Sequence, residues 1–461
     1  MKRACCPGSD RPRGARRRRF PRSSNAKESP GVTLMTFRRI PISVALFWLV
    51  AASMLSPSPV PASQPVQVEA VSAFLVEVST GTVLLEQAPD VPIEPASFTK
   101  LMTLYLVFEA VEHGTAKWND AVWISEKAWR TGGSKMFIEV GTRVPLEDLV
   151  KGIAVVSGND ACVAVAEHLY GTVEGFVDAM NRKAEELGMT ATRFRNPHGL
   201  PHPEQITTAR DMATLATAYL RRFPEALRFH SMLEYSYNNI TQPNRNHLLT
   251  KDPTVDGLKT GYVAAAGYHL AATSLRDGMR LLAVVMGAKS PSVREAEAQK
   301  LLNYGFRSYV LLQPFEPGKP VAAVRVWKGV KDSLELFPAS AEGFVVPAAM
   351  KDAVRTELRL PESVTAPIGT GAVIGSAVIT VGDGEPRVID LVSREDIPQA
   401  GVFVRAWHSL LKAEDWNWGR IGAVTGGIAV GAAALVFLAL LALRRRNRKR
   451  RSAARFHPRR F

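Results

Sequence analysis

Ser97 stands three residues before Lys100 in the stretch Glu94-Pro95-Ala96-Ser97-Phe98-Thr99-Lys100-Leu101-Met102-Thr103, where an apolar run from Leu101 to Val111 begins. Pro95 suits the first turn of a helix, where its missing N–H costs nothing, so a helix is predicted to begin there. Residues three apart on a helix share a face, which lets the hydroxyl and the amine meet. Apolar residues on nearly every side mark this helix as buried in the middle of a large domain. Burial disfavours a charged ammonium, so Lys100 is expected to be neutral often enough to take a proton from Ser97. The unpaired N–H groups and positive pole of the helix start add a place to hold an oxyanion.

Two pieces downstream have the side chains to complete such a site. Ser157-Gly158-Asn159 interrupts an apolar helix, Leu146 to Val156, before helical spacing resumes from Ala161 to Leu169. A break of this composition between buried helices presents polar side chains from a loop in the core. Val255-Asp256-Gly257-Leu258-Lys259-Thr260-Gly261-Tyr262 precedes two strand-like runs, Tyr268 to Ser274 and Arg280 to Met286. The turn Arg276-Asp277-Gly278 joins those runs into an antiparallel hairpin beside the Lys259 segment. Other chemistry is less well supplied. His198 and His202 are four apart, but their segment is Pro-rich and no third ligand is near, so no metal is expected. Cys162 sits in an apolar helix without a His partner and reads as a packed thiol.

The elements that must position these groups form an α+β pattern. Strands are predicted over Val71–Val78 and Val83–Leu85, and helices over Phe176–Leu187, Thr208–Tyr219 and Val293–Phe306. Thr207 or Thr208 caps the second of these helices, with Asp211 three residues on. Helical clusters then flank an antiparallel sheet made from both ends of residues 67–312. Short alternating runs separated by Gly, Pro and Asp make residues 315–395 a small all-β domain, read as a spacer or docking module.

Taken together, Ser97-x-x-Lys100, Ser157-Gly158-Asn159 and Lys259-Thr260-Gly261 resemble the signature of the penicillin-recognising serine enzymes, the penicillin-binding proteins and serine β-lactamases. The segments around Ser97 and Lys259, with Phe194-Arg195-Asn196-Pro197-His198-Gly199-Leu200 and Thr208-Ala209-Arg210-Asp211-Met212-Ala213, look like serine-type D-alanyl-D-alanine carboxypeptidases, the low-molecular-mass penicillin-binding proteins. The resemblance implies that catalytic fold, acyl-enzyme chemistry on peptidoglycan pentapeptides, inhibition by β-lactams, and no cofactor. It implies Ser97 as nucleophile, Lys100 as base and Ser157 as proton relay. Asn159 would bind the substrate backbone and Lys259 would supply positive potential. The Thr260 hydroxyl would meet the terminal carboxylate, Gly261 would complete the strand motif, and the Ser97 and Tyr262 N–H groups would form the oxyanion hole. Arg294 matches an arginine that relatives use for the carboxylate. Glu204 is the best candidate for a deacylating carboxylate of the class A β-lactamase kind, although its flanking residues do not match that motif. Two departures stand out: Tyr262 replaces the His of some members, and a full membrane span replaces the usual amphipathic anchor. A β-lactamase or β-lactam sensor, and a non-enzymatic peptidoglycan-binding scaffold, are the rival functions.

The chain of 461 residues carries a formal charge of +15. Residues 1–34 contribute +8 and the tail 444–461 contributes +10, so the body between them stands at −3, which removes the support for nucleic-acid binding. Residues 1–34 read as a disordered basic leader or a misassigned start before Met35. Residues 35–62 read as a signal peptide, with Val60-Pro61-Ala62 before the cleavage point. A linker at 396–420 leads to an uncharged run, Ile421–Leu443, long enough to span a bilayer, and the basic tail should stay on the cytoplasmic side. This places the body on the outer, periplasmic face of the bacterial cytoplasmic membrane. Gly427 and Gly431 offer a possible homodimer face in the span.

Overall fold

In the computed structural model, residues 66–340, 343–411 and 418–453 are described. The leader, the signal-peptide reading and the end of the tail lie outside them.

The first strands, β1 (Ser72–Glu77) and β2 (Val83–Gln87), precede helix α1 (Thr99–Glu112). Helices α2 (Leu146–Ala154), α3 (Asn159–Tyr170), α4 (Val173–Glu186) and α5 (Ala209–Arg222) follow. Strands β3 (Val255–Val263), β4 (Gly267–Arg276) and β5 (Met279–Ala288) and helix α6 (Pro291–Ser308) close the domain. The five strands form one antiparallel sheet in the order β2-β1-β5-β4-β3, so both ends of the domain supply strands and β3 is an edge.

Period-two alternation explains how one sheet serves two cores. On β5, Leu281, Ala283 and Val285 pack with Ala298, Leu301 and Leu302 of α6. Leu282, Val284 and Met286 face the helical cluster built on α1. A strand buried on both faces reads as a continuous apolar run, as β5 does. All residues of α1 from Thr99 to Phe108 are buried, the polar Thr99, Lys100 and Thr103 among them. Its start differs from the expectation. Ala96–Phe98 is a 3-10 turn, and the α-helix begins only at Thr99, because Ala96 adopts φ +48. The later helix starts obey their cap residues. Thr208 accepts from the Asp211 N–H at 3.1 Å and Ser290 from the Val293 N–H at 3.2 Å.

The second domain is a six-stranded sheet ordered Val354–Arg359, Val373–Val381, Arg387–Ser393, Ser333–Pro338, Ala322–Trp327, Ser363–Thr365, its last pair parallel. Leu334, Leu336, Ala377 and Leu391 fill its core. Within the stretch read as a linker, helix α7 (Val402–Leu411) sits on this domain, where His408 Nδ1 accepts from the Lys328 N–H at 2.8 Å. Helix α8 (Trp418–Ala453) contains an apolar segment, Thr425–Arg446, long enough to cross a membrane and buried nowhere in the structure.

Candidate active site

A cavity of about 510 Å³ opens between the 3-10 turn, the loop before α3 and the edge strand β3. Ser97, Ser157, Thr260, Gly261, Tyr262 and Arg294 all line it. Lys100 and Lys259 lie beneath its surface, fully buried, and reach it through hydroxyls. Lys100 Nζ donates to Ser97 Oγ at 3.0 Å and to the His198 carbonyl at 2.5 Å. Lys259 Nζ donates to Ser157 Oγ at 3.0 Å and to the Thr260 carbonyl at 3.1 Å. A 3-10 turn nearly eclipses residues three apart, which brings Ser97 over Lys100 even though the α-helix starts later than expected.

Burial sets the electrostatics. It pushes the Lys100 pKa from 10.5 down to about 8, with Arg245 adding to the push. Burial, then the neighbouring Lys100 and Arg245, push Lys259 well below its ordinary value. The Ser97 hydroxyl thus has an amine beside it that is poised to lose its proton near neutral pH.

Several groups hold the frame. Gly199 has φ +87, and a Cβ there would lie 1.8 Å from the Ala96 carbonyl oxygen, so only glycine lets the His198 segment close over the nucleophile turn. A Cβ on Gly261 would come within 3.3 Å of Ala96 and His269, which accounts for glycine in the strand motif. The Gly287 N–H donates to His269 Nδ1 at 3.0 Å, so Nε2 carries the proton and donates to the Glu94 carbonyl at 3.0 Å. That imidazole, kept neutral by burial with a pKa of about 4, ties the sheet to the segment leading into Ser97. Ser157 itself sits at φ +63, a conformation that costs a non-glycine residue about 1 kcal/mol or more and is held by its surroundings. The Asp160 carboxylate accepts from the Met136 and Phe137 N–H groups at 3.0 Å each and pins the 134–138 segment beside α3.

Asn159 is placed differently from the other motif residues. It is 4% exposed, and its Nδ2 donates to the Gly132 carbonyl at 2.7 Å, so its amide nitrogen faces the 132–134 segment. Arg294 lies within 3.4–3.5 Å of the Gly261, His269 and Arg245 carbonyls, and its buried Nε has no partner. Glu204 is turned away into an ion pair with Arg195. His198 Nδ1 and His202 Nδ1 accept from the Leu200 and Glu204 N–H groups, each at 3.2 Å, within local turns. Cys162 is fully buried, its thiol pushed up to about 12 by burial. Sequence reasoning missed Arg245, Ser134, His247 and Tyr268, which also line the cavity. Arg245 sits between Asn244 and Asn246, which are buried and bonded to backbone, a pattern without periodicity that only the fold reveals.

Known proteins resemble the chain over most of its length. The family described as D-alanyl-D-alanine carboxypeptidase matches residues 59–290, and the penicillin-binding protein 5 C-terminal domain matches residues 309–399. D-alanyl-D-alanine carboxypeptidase DacC of Escherichia coli (strain K12) is 36% identical over 375 residues, which covers 79% of this chain and 94% of that one. The chain belongs to the D-alanyl-D-alanine carboxypeptidase family. The carboxypeptidase is thus a hydrolase of the serine-peptidase type and a penicillin-binding protein. DacA of Haemophilus influenzae is 37% identical over 353 residues, 75% of this chain and 90% of that one. The crystal structure of penicillin-binding protein 5 from Haemophilus influenzae superposes with TM-score 0.64 at 37% identity, covering 73% of the carboxypeptidase and all of that chain.

Proposed function

We propose that Ser97 is the nucleophile, Lys100 its base and Ser157 the proton relay in removal of the terminal D-alanine from peptidoglycan stem peptides. The observation that carries this reading is the 3.0 Å contact between Ser97 Oγ and a fully buried Lys100 whose pKa is lowered to about 8. Ser97 Oγ attacks the carbonyl carbon of the penultimate D-alanine while neutral Lys100 takes its proton. The Ser97 and Tyr262 N–H groups hold the oxyanion. The C–N bond then breaks, and the proton passes through Ser157 to the nitrogen of the departing D-alanine. The hydrogen bond from Lys259 orients the Ser157 hydroxyl for this transfer. Water hydrolyses the remaining acyl ester. Thr260 and the Arg294 guanidinium, which line the cavity, supply the donors for the terminal carboxylate. A β-lactam presents a comparable amide with an anionic group and acylates Ser97 by the same first step.

The body works on the outer face of the cytoplasmic membrane, held by the Thr425–Arg446 helix with its basic tail inside. Full-length protein in detergent should release D-alanine from diacetyl-L-Lys-D-Ala-D-Ala, and Ser97→Ala should abolish the release. A wild-type protein silent on this peptide would overturn the assignment.

A further inference from the structure

We propose that Glu295 is a positioning residue for carboxylate recognition: from behind the catalytic cavity it clamps the 244–251 segment onto α6 and so holds Arg245 and Arg294 together where the terminal carboxylate is received. The inference rests on the carboxylate reading given above and deepens it.

Glu295 follows Arg294 directly in α6 and is 3% exposed. A carboxylate loses its hydration on burial and persists there with partners of opposite charge or hydrogen-bond donors. The partners of Glu295 come from one short segment of the chain. Lys251 Nζ donates to Oε2 at 2.8 Å, and His247 Nδ1 lies 3.1 Å from Oε1, at an angle short of a hydrogen bond. These two side chains stand at the start and end of the helical turn Leu248–Lys251 and are each 58% exposed, so the carboxylate, rather than packing, fixes them. The other end of the segment is tied elsewhere. Asn244 Nδ2 donates to the Met232 carbonyl and Asn246 Nδ2 to the Gly257 carbonyl, each at 2.9 Å. Arg245 stands between these ties, and its carbonyl lies 3.4 Å from Arg294 Nη2.

The same carboxylate is the counter-charge to Arg294. Burial pushes the Arg294 pKa down, the neighbouring Glu295 pushes it back up, and Arg245 adds to the lowering. Two guanidinium groups in one wall repel, and a buried anion beside them offsets that repulsion. Glu295 and Lys251 line a separate cavity of about 430 Å³, whereas Arg245, His247 and Arg294 line the catalytic one. The carboxylate therefore acts through the arginines and does not touch substrate.

The test measures kcat and KM for diacetyl-L-Lys-D-Ala-D-Ala and for its C-terminal carboxamide, with full-length protein in detergent. The carboxamide lacks the anion that the arginines receive, so the wild type should favour the carboxylate. Glu295→Gln should lower this preference in kcat/KM about threefold to thirtyfold, through KM for the carboxylate, with kcat changed by less than about threefold. By charge alone, loss of an anion would strengthen the preference, so a weakened one reads the clamp. Lys251→Gln releases the clamp from its exposed end; in about 0.5 M salt, which screens the exposed charge, it should lower the preference by about twofold or more. A preference unchanged or strengthened in either variant would overturn the proposal, and Lys251→Gln decides alone if Glu295→Gln does not fold. Equal loss on both peptides would also overturn it, because Glu295 would then serve only the fold. A wild type that hydrolyses both peptides equally would reject the carboxylate reading itself, and the proposal with it.

Discussion

The pH dependence of acylation gives the site its most demanding test. A lysine with the ordinary pKa of 10.5 is neutral in about 0.03% of molecules at pH 7, whereas one at about 8 is neutral in about 9%, a gain of roughly 300-fold. The neutral amine is the active form, so the rate should rise about tenfold per pH unit below 8 and level off above it. Stopped-flow acylation by a fluorescent penicillin between about pH 5.5 and 9.5 reads this directly. Lys100→Arg keeps the positive charge and cannot deprotonate, so it should lose about 100- to 10,000-fold in acylation rate and show no rise. The same burial bears on stability with the opposite sense to a salt-bridged group. The native state disfavours the ammonium, so the unfolded chain binds more protons between pH 8 and 10.5, and stability should increase with pH across that window. The gap corresponds to about 3 kcal/mol at ~1.36 kcal/mol per pH unit. Lys100→Met should therefore melt no lower than wild type at pH 7 while failing to acylate. An acylation rate flat from pH 6 to 8, or a Lys100→Arg protein within tenfold of wild type, would refute the argument.

Three further perturbations separate the parts of the site. Gly199→Ala drives a methyl into the Ala96 carbonyl and should cost more than about 2 kcal/mol in a thermal melt and most of the acylation rate; a melt within ~0.5 kcal/mol of wild type would contradict the packing described. Arg294→Gln should raise KM for diacetyl-L-Lys-D-Ala-D-Ala by about tenfold or more with kcat changed by less than about threefold, and a kcat loss of equal size would place Arg294 in the chemical step instead. Protease added to spheroplasts should digest the body and spare an epitope fused after Phe461, whereas loss of the epitope would reverse the proposed orientation.

Much of this was legible because it is local. The largely apolar Leu101–Val111 run requires a central helix, and α1 is that helix. Thr208 announces a helix start through a side chain that bonds three residues ahead. The three motifs lie on a turn, a loop and an edge strand that converge on one cavity. What stayed hidden depends on contacts between distant segments. The 3-10 turn at Ala96 packs against Gly199, where a Cβ would meet the Ala96 carbonyl, and no pattern within residues 95–99 encodes that contact. His269 holds the Glu94 carbonyl across 175 positions of sequence, and Asp160 pins backbone 22 to 24 residues away. Arg245 acts through the electrostatics of Lys100 and Lys259, and its loop shows no periodicity from which this could be read. The inward turn of the Asn159 amide is likewise set by the Gly132 carbonyl, which lies outside its own helix.

Labelling with a fluorescent penicillin, followed by proteolysis and mass mapping, tests the pairing of Ser97 with Lys100 most directly. The account predicts one stoichiometric adduct on the peptide containing Ser97, absent in Ser97→Ala and formed far more slowly in Lys100→Arg. An adduct on Ser157 or Cys162, or one that persists in Ser97→Ala, would contradict it.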